Sequence, residues 1–397
     1  MSLIDEHVAA FARGTVDLID EKQLRGMLRV SLAEDRPLRV KFGMDPSSPD
    51  LHVGHAVQLL KLRDLQELGH QIVLIVGDAT AMVGDPSGRN KLRPQLTREQ
   101  VEENLITYTQ QAAQVLDLER TEVRRNSEWF DKMDFADILA LTSRMTVAQM
   151  IERDTFQKRI KAGEPVGIHE FLYPLMQGWD SVKIECDVEL GGTDQLFNLL
   201  VGRSLQEQIG QRPQICFTLP LINGADGRKM SKSYDNAIGL TDSARDMFFA
   251  VMRLEDEAME SWFTLLTRVP ADEVKAQLAG HPRDAKVRLG KAITGFYHGP
   301  EATEEAAAAF DSEVRDKQLP SDIPHHDWRD EWGTAVPLAN LLKDVGLAQT
   351  TSEARRTVKQ GGVRVNGEVQ EDPMAPIALP TETLLVQVGK KRFAQIA

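Results

Sequence analysis

The sequence has few cysteines and no long apolar run, and each absence excludes a class of protein. Its 397 residues include two cysteines, too few for a disulfide scaffold or a four-cysteine zinc site. We therefore expect a reducing compartment and no structural metal. No apolar run approaches the ~18–20 residues of a membrane helix, so we expect no membrane partner. The opening residues MSLIDEHVAAFARG carry acids where a signal peptide carries basic residues, which favours a cytoplasmic protein.

Acidic residues outnumber basic ones, with 60 Asp and Glu against 47 Lys and Arg and a net charge of −13. This balance argues against non-specific coating of nucleic acid, but the charge is unevenly distributed. Residues 301–335 carry ten acids and three Lys or Arg, whereas residues 336–397 carry eight Lys or Arg and six acids. We interpret residues 321–335 as an acidic linker before a small, slightly basic module. Helical patterns within residues 243–297 predict a helical domain ahead of that linker.

Strand and helix patterns alternate in the first half of the chain. Leu38–Met44 and Gln71–Val76 favour strands, and His55–Leu68 between them favours a helix. Strand, helix and strand in this order predict a right-handed βαβ unit and a parallel sheet. Further along, we predict helix over Phe135–Glu152 and a strand over Val182–Leu190 that ends at two glycines.

Two histidines stand at the start of the first of these helices. A loop that begins at Asp45 leads into His52 and His55, whose spacing puts both rings on one face of the first turn. Helix N-termini attract anions, and Gly54 between the histidines lets a ligand approach the backbone. The pair suits a polyphosphate site, although an isolated HxxH is more typical of two surface histidines near a helix cap.

A second segment, Asn223–Ser233, places two lysines among glycines and hydroxyl residues. Lys229 and Lys232 are three residues apart and follow Gly224 and Gly227. Lysines on such a loop can close on a phosphate and stabilise the negative charge of a transition state. A solvated surface loop is the alternative for the pair taken alone.

A third segment, Gly84–Arg93, places Arg89 and Arg93 after a glycine-rich turn. A guanidinium group pairs with phosphate through two parallel hydrogen bonds, so this segment is also a candidate phosphate contact. Ordinary turn chemistry with exposed basic residues is the alternative.

A fourth segment places three polar side chains on one face of a predicted helix. Tyr173, Gln177 and Asp180 follow the i, i+4, i+7 spacing within an otherwise apolar stretch. A carboxylate on a mostly apolar face needs a partner, which predicts a ligand site. A capped helix end with a lone exposed aspartate is the alternative.

Taken together, these segments resemble the class I aminoacyl-tRNA synthetases. HVGH at 52–55 followed by KMSKS at 229–233 is similar to the signature pair of that family, and KMSKS is identical to the family string. GDPSG at 84–88, YxxxQxxD at 173–180 and GGTDQ at 191–195 resemble the tyrosyl branch. SEARRTVKQGGVRVNGE at 352–368 resembles the S4-type RNA-binding module that ends the bacterial tyrosyl enzymes.

The resemblance implies an α/β fold class with three domains. We expect a Rossmann-like parallel-sheet catalytic domain, an α-helical anticodon-stem-binding domain and a small C-terminal S4-like α+β RNA-binding domain. The implied bounds are residues 1–237, with a dimerisation or connective insertion at about 120–180, then 238–320, the linker 321–335, and 336–397. The family is homodimeric, and residues 120–165 are the candidate interface.

The implied activity is that of a tyrosine–tRNA ligase, which activates L-tyrosine with ATP and transfers it to tRNA(Tyr). Mg²⁺ is expected to accompany ATP as a cofactor. By motif position, the catalytic phosphate contacts are His52, His55, Arg89, Arg93, Lys229 and Lys232. The implied ATP-binding residues are Asp45, Gly54, Gly192, Asp194, Leu221, Ile222, Met230 and Ser231. The implied tyrosine-binding residues are Asp85, Tyr173, Gln177, Asp180 and Gln195. The implied tRNA-binding residues are Arg355, Arg356, Lys359 and Arg364.

One position departs from the family pattern. Lys41 stands where many relatives carry a tyrosine that makes a second contact to the phenol of the substrate. Either another residue makes that contact, or discrimination depends more on Asp180. Two alternative functions stay open at this point: a tryptophanyl-tRNA synthetase, and a non-catalytic RNA-binding scaffold derived from a synthetase.

Overall fold

The computed structural model describes residues 2–46, 51–87, 97–225, 227–228, 230, 236–315, 323–389 and 392–397. The chain divides into two compact units, residues 1–307 and residues 308–397.

A six-stranded sheet forms the centre of the first unit. Its strands are β1 (Asp17–Ile19), β2 (Arg39–Met44), β3 (Gln71–Val76), β4 (Thr121–Arg125), β5 (Val188–Gly192) and β6 (Ile215–Leu219). The spatial order is β1-β6-β5-β2-β3-β4. All neighbours pair in parallel except β1, which pairs antiparallel with β6. Strands β5 and β6 are buried along their whole length because helices cover both faces of the sheet, as in other parallel sheets.

Helices connect these strands and extend beyond them. They are α1 (Leu3–Ala12), α2 (Glu21–Ala33), α3 (Val53–Glu67), α4 (Asp78–Val83), α5 (Arg98–Ala112), α6 (Ser127–Phe130), α7 (Phe135–Thr142), α8 (Val147–Ile151), α9 (Asp154–Lys161), α10 (Leu172–Lys183), α11 (Leu196–Gln208), α12 (Ala244–Val251), α13 (Met259–Leu266), α14 (Ala271–Leu278) and α15 (Pro282–Phe310). The predicted β2-α3-β3 unit is present, and the α/β class with a parallel sheet is confirmed.

The strand order determines where a ligand can bind. From β2 the chain crosses to β3 on one side, whereas β5 lies on the other side of β2. The connections therefore diverge at the carboxyl ends of β2 and β5 and leave a crevice there, as in other doubly wound sheets. Both chain segments that leave these two strands carry predicted site residues.

Two secondary-structure predictions need correction. Phe135–Glu152 forms two helices rather than one, because the side chain of Thr146 caps a new helix start by accepting a hydrogen bond from the Gln149 amide. The predicted strand over Val182–Leu190 begins too early: α10 continues to Lys183, and Glu185 then takes a left-handed φ of 51° before β5 begins at Val188. Such backbone ends a helix.

The helical region after β6 has no separate core. Residues of α12, α13 and α15, including Met247, Trp262 and Leu289, belong to the same buried cluster as Leu59 of α3 and Val188 of β5. The predicted boundary at 237/238 therefore marks a change of secondary structure rather than a division between two cores.

The second unit combines small sheets with two helices. Its strands are β7 (His325–His326), β8 (Ala335–Pro337), β9 (Val363–Val365), β10 (Glu368–Gln370), β11 (Pro376–Ala378), β12 (Leu384–Val388) and β13 (Arg392–Ile396). Its helices are α16 (Leu338–Asp344) and α17 (Thr351–Lys359). One sheet has the order β10-β9-β12-β13-β7, and β8 pairs with β11.

The predicted linker 321–335 is wrong for most of its length. Strand β7 pairs in parallel with β13, and Trp332 is buried in the core of this unit. The indole Nε1 of Trp332 donates a hydrogen bond to Asp344 at 3.0 Å. An aromatic side chain that packs in this way anchors a segment despite its acidic composition.

Within the described residues, no helix is long and apolar enough to cross a membrane.

Candidate functional site

A cavity of about 250 Å³ opens at the carboxyl ends of β2 and β5. Predicted site residues from five separate segments line it: Asp45, His55, Asp85, Tyr173, Gln177, Asp180, Gly192, Asp194, Gln195 and Leu221. Four of these side chains are aspartates, and the described lining contains no Lys or Arg. The cavity therefore favours a ligand that brings hydrogen-bond donors or positive charge.

Helix α10 presents the three predicted polar residues to this cavity on one face. The Tyr173 hydroxyl donates a hydrogen bond to Asp45 Oδ2 at 2.8 Å, which ties the helix to the loop after β2. Gln177 lies one turn further along, and Asp180 follows it. Their helical spacing, readable from the sequence, is what brings the three to one surface.

Asp180 is the most deeply placed acid of the cavity, at 3% exposed. Its Oδ1 accepts a hydrogen bond from Trp129 Nε1 at 2.9 Å, and its Oδ2 accepts one from Asn126 Nδ2 at 3.3 Å. Burial raises the pKa of Asp180 to about 7, against the opposing effects of Lys41, Trp129 and Asn126. Each oxygen of the Asp180 carboxyl group therefore accepts one hydrogen bond from within the fold. The group also faces the cavity, where it can accept a further hydrogen bond from a ligand.

Sequence reasoning missed Asn126 and Trp129. Asn126 follows directly after β4, and its side chain also donates to Thr80. The signal that could have found it is this position, because polar residues that follow parallel strands meet at one edge of the sheet. Trp129 carries no such signal, since its indole reaches Asp180 only through the tertiary fold.

A second network orders the rim of the cavity. Asp85 Oδ2 accepts a hydrogen bond from Gln195 Nε2 at 2.9 Å, while Asn198 Nδ2 donates to both Gln195 Oε1 and Gln177 Oε1. Asp85 also pairs with the buried guanidinium of Arg153 at 3.5 Å. The predicted tyrosine-site residues Asp85, Gln177 and Gln195 are thus joined in one set of hydrogen bonds.

His52 and His55 cap the helix that carries them. Nδ1 of His52 accepts a hydrogen bond from the Gly54 amide at 3.1 Å, and Nδ1 of His55 accepts one from the His52 amide at 3.2 Å. The rings stack with centroids 3.9 Å apart. Burial, and then His52, lower the pKa of His55 well below its usual range, so that ring is neutral at pH 7. With Nδ1 accepting, a neutral ring carries its hydrogen on Nε2, where it can be donated to a ligand.

Gly54 is surrounded so closely that a side chain has no room. A Cβ there would lie 2.9 Å from the His52 ring and 3.5 Å from the sulfur of Met230. Met230 is the residue between the two predicted lysines, and it is buried in the main core. The Val53 amide donates to the Ile238 carbonyl at 2.9 Å. Met230 within the lysine loop and Ile238 after it therefore both contact the histidine segment.

The segment after β5 also depends on a glycine. A Cβ on Gly192 would lie 2.7 Å from Asp194 Oδ1 and 3.1 Å from the Leu221 side chain. Leu221 lines the cavity and is 49% exposed, whereas the Ile222 side chain is buried in the core. Of these two predicted ATP-binding residues, the fold thus brings only the side chain of Leu221 to the cavity.

Several predicted residues lie outside the described part of the chain. They are Arg89, Arg93, Lys229, Ser231 and Lys232. In the second unit, the predicted RNA contacts Arg355, Arg356 and Lys359 of α17 and Arg364 of β9 are all exposed.

Comparison with known protein families agrees with this geometry. A family model described as tRNA synthetases class I (W and Y) matches residues 33–314. The chain belongs to this family. A model of the S4 domain matches residues 336–376, so the resemblances noted for the catalytic segments and for the C-terminal module are both confirmed.

Similar curated proteins cover almost the whole chain. The tyrosine–tRNA ligase of Salinibacter ruber is 46% identical over 99% of this chain and 97% of its own length. That of Thermotoga maritima is 47% identical over 99% of this chain and 98% of its own length.

Solved structures share the fold at low sequence identity. A C-terminally truncated mitochondrial tyrosyl-tRNA synthetase from Aspergillus nidulans is 24% identical with a TM-score of 0.63, covering 80% of this chain and 94% of its own. A tyrosyl-tRNA synthetase from Archaeoglobus fulgidus, solved with L-tyrosine, is 21% identical with a TM-score of 0.61, covering 76% of this chain and 99% of its own.

The hydrogen bond from Trp129 is expected to control the ionisation of Asp180. Loss of a hydrogen bond to a charged group removes roughly 1.5 kcal/mol or more, so Trp129→Phe should raise the pKa of Asp180 by about one unit. Carboxyl ¹³C NMR of aspartate-labelled protein measures this against the wild-type value of about 7. Trp179→Phe is the control, because the Trp179 ring contacts Arg144 and Lys183 instead. An unchanged titration in Trp129→Phe would contradict the assignment.

Proposed function

We propose that the protein is a tyrosine–tRNA ligase, which forms tyrosyl-adenylate and pyrophosphate from L-tyrosine and ATP and then charges tRNA(Tyr). The observation that carries this proposal is the buried Asp180 carboxyl, held by two donors and facing a cavity of about 250 Å³. A phenol can donate to that acceptor, whereas a phenyl group leaves it unpaired. The full-length relatives named tyrosine–tRNA ligase support the same conclusion.

We assign the two ends of tyrosine to opposite sides of this cavity. Asp180 accepts the phenolic hydroxyl, and Tyr173, Gln177 and Asp85 surround the α-ammonium group. Gln195 lies beside the carboxylate. The acidic lining is complementary to the ammonium group, and the hydrogen-bonded rim preorganises it before the substrate binds.

We assign ATP to the neighbouring histidine and glycine segments. Nε2 of His52 and His55 donates to phosphate oxygens, and Gly192 and Asp194 contact the ribose. By motif position, Lys229, Lys232, Arg89 and Arg93 neutralise the pyrophosphate that leaves when the tyrosine carboxylate attacks the α-phosphorus. Such a reaction needs little covalent help and depends on positioning and charge. Mg²⁺ enters with ATP and is held mainly by phosphate oxygens and water.

The other two functions are less well supported. A tryptophanyl enzyme needs an acceptor for an indole N–H, but the relatives cited above are tyrosine enzymes. A non-catalytic scaffold has no physical need for two histidines that cap a helix, together with a loop that carries two lysines.

Substitution of Asp180 tests the substrate assignment. Sites that hydrogen-bond a substrate hydroxyl reject the analogue lacking it by about 10⁴–10⁵, a range that tyrosyl-tRNA synthetase itself exemplifies and that we adopt rather than derive. ATP–pyrophosphate exchange with Tyr, Phe and Trp should depend on tyrosine in the wild type. Asp180→Ala should lose most of the preference for tyrosine over phenylalanine in kcat/KM.

Asp187→Asn is the matched control for this experiment. Asp187 is a similarly buried aspartate, but it pairs with Arg36 and Arg212 and does not line the cavity. The Asp187→Asn variant should keep the preference for tyrosine over phenylalanine, even if its free energy of unfolding falls. Exchange that depends on tryptophan, or an Asp180→Ala enzyme with unchanged preference, would refute the proposal.

The second unit is proposed to bind the tRNA through α17 and β9. Arg355, Arg356, Lys359 and Arg364 form an exposed cationic surface on this otherwise acidic chain. Binding should weaken with salt, and Arg355→Ala with Arg356→Ala should reduce the slope of log K against log salt by about 0.7–0.9 per lost phosphate contact. Fluorescence titration of tRNA(Tyr) measures this. Lys343→Ala, on exposed Lys343 of α16, should leave the slope unchanged, and an equal effect there would argue against this surface.

A homodimer is proposed from an exposed apolar surface on the first unit. Phe135, Val147 and Ile168 are 75%, 63% and 85% exposed, all within or next to the predicted insertion. Large apolar side chains left exposed in this way are typical of protein interfaces. Sedimentation should give twice 44.3 kDa for the wild type, and Phe135→Asp with Ile168→Asp should give monomers. Ile106→Asp, at an exposed position on α5, should remain dimeric; a monomeric wild type would contradict the proposal.

A cytoplasmic location is proposed from the chemistry of the two cysteines. Cys186 and Cys216 are both buried free thiols. Reduced cysteines are typical of a reducing compartment.

A further inference from the structure

We propose that the buried ion pair between Lys41 and Glu189 positions the tyrosine-reading face of α10 and keeps Asp180 in the form that accepts the phenol. This inference rests on the proposed function, because it names what holds that site in place. Lys41 is in β2 and Glu189 in β5, the two strands that flank the crevice. Both side chains are fully buried, and Lys41 Nζ lies 3.0 Å from Glu189 Oε1.

Lys41 has no donor left for a substrate. Its ammonium group carries three N–H donors. These contact the Gln177 carbonyl at 2.6 Å, Ser181 Oγ at 2.8 Å and Glu189 at 3.0 Å. Lys41 therefore cannot replace the direct phenol contact of the tyrosine that stands at this position in many relatives. Any effect on specificity must pass through its neighbours, which makes it a positioning residue.

Glu189, in β5, contacts the same part of α10. Its Oε1 accepts a hydrogen bond from Gln177 Nε2 at 3.1 Å, and its Oε2 accepts one from Ser181 Oγ at 3.0 Å. Gln177 and Ser181 stand on either side of Asp180 in sequence. The ion pair thus fixes the helix against the sheet at the turn that carries the phenol acceptor.

The carboxylate of Glu189 also determines which way the Gln177 amide points. A carboxylate only accepts hydrogen bonds, so it holds the amide nitrogen toward itself and turns Oε1 away. Gln177 Oε1 then accepts from Asn198 within the rim network. In this orientation the oxygen is presented as an acceptor, which suits the α-ammonium group of tyrosine.

The three charges also act on one another in a low-dielectric environment. Burial alone would lower the pKa of Lys41, but Glu189 and then Asp180 raise it, so the ammonium group stays charged. Burial raises the pKa of Asp180 to about 7, Lys41 lowers it and Glu189 raises it. Among the described residues, the other ionisable side chains that line the cavity are Asp45, His55, Asp85, Tyr108, Tyr173 and Asp194. The thiols of Cys186 and Cys216 lie near the ion pair, and burial raises the pKa of both.

A purely structural role makes a different prediction. Buried ion pairs contribute little stability relative to apolar residues of similar size, because desolvation opposes the attraction. If Lys41 and Glu189 served only stability, replacing them would change the melting temperature and leave the relative use of tyrosine and phenylalanine intact. If Lys41 and Glu189 instead position α10, replacing them should change the recognition of tyrosine. The KM for ATP should change much less.

The experiment compares full-length wild type with Lys41→Met and with Lys41→Met/Glu189→Met in ATP–pyrophosphate exchange between pH 5.5 and 9. For the wild type, KM for tyrosine should rise as pH falls below about 7, as Asp180 becomes protonated. Lys41→Met leaves Glu189 unpaired, so this rise should begin about one pH unit higher, which is about fivefold in KM at pH 7 and approaches tenfold at about pH 6. KM for ATP should stay within about twofold.

The double variant separates charge from position. With both buried charges removed, the pH dependence should return toward that of the wild type. KM for tyrosine should remain raised, because the contacts that tie Gln177 and Ser181 to the two strands are lost and only the hydrogen bond from Asn198 still holds the Gln177 amide. Because it leaves no unpaired buried charge, this variant also decides the question if Lys41→Met fails to fold. A wild-type KM for tyrosine in the double variant would then overturn the inference.

Lys61→Met is the matched control. Lys61 is also buried, at 6% exposed, but its ammonium group donates to the Ala10 and Arg13 carbonyls away from the cavity. Its loss should affect stability and leave the pH dependence of tyrosine use unchanged. An unchanged pH dependence and Tyr/Phe ratio in Lys41→Met would overturn the inference while leaving the proposed function intact. A wild type without tyrosine-dependent exchange would instead overturn the proposed function.

Discussion

The divergence of the chain at β2 and β5 is the constraint on which the rest of this molecule depends. Because β3 lies on one side of β2 and β5 on the other, the connections diverge at the carboxyl ends of the two central strands and leave a crevice there. The loop after β2 leads to Asp45 and the capped histidines, and the turn after β5 leads to Gly192 and Asp194. Predicted site residues that are far apart in sequence therefore meet at one edge of the sheet.

A buried acceptor is the central polar feature of the cavity. An aspartate at 3% exposed is costly unless donors surround it, and Asp180 has Trp129 and Asn126. Such a group discriminates because a ligand without a matching donor leaves an acceptor unsatisfied in a place that water reaches poorly. The same reasoning explains why a lysine and a glutamate stand directly behind the site. In a region that water does not reach, Lys41 and Glu189 provide fixed charges and hydrogen bonds to α10.

The histidine segment shows that structural and chemical roles need not compete. His52 and His55 use Nδ1 to satisfy backbone amides at a helix start, which is an ordinary capping function. That use orients Nε2 as the donor. The helix cap therefore fixes the direction in which each ring can donate, and Met230 packs closely against Gly54 between the two histidines.

The sequence by itself determined the family, the βαβ order and the polar face of α10. These depend on short motifs and helical periodicity, which are local and can be read from neighbouring residues. Only the tertiary structure decided that Lys41 pairs with Glu189, that Asn126 and Trp129 hold Asp180, and that Trp332 draws an acidic stretch into the C-terminal core. Each of these contacts joins residues distant in sequence or overrides local composition through burial, and neither effect leaves a periodic pattern in the chain.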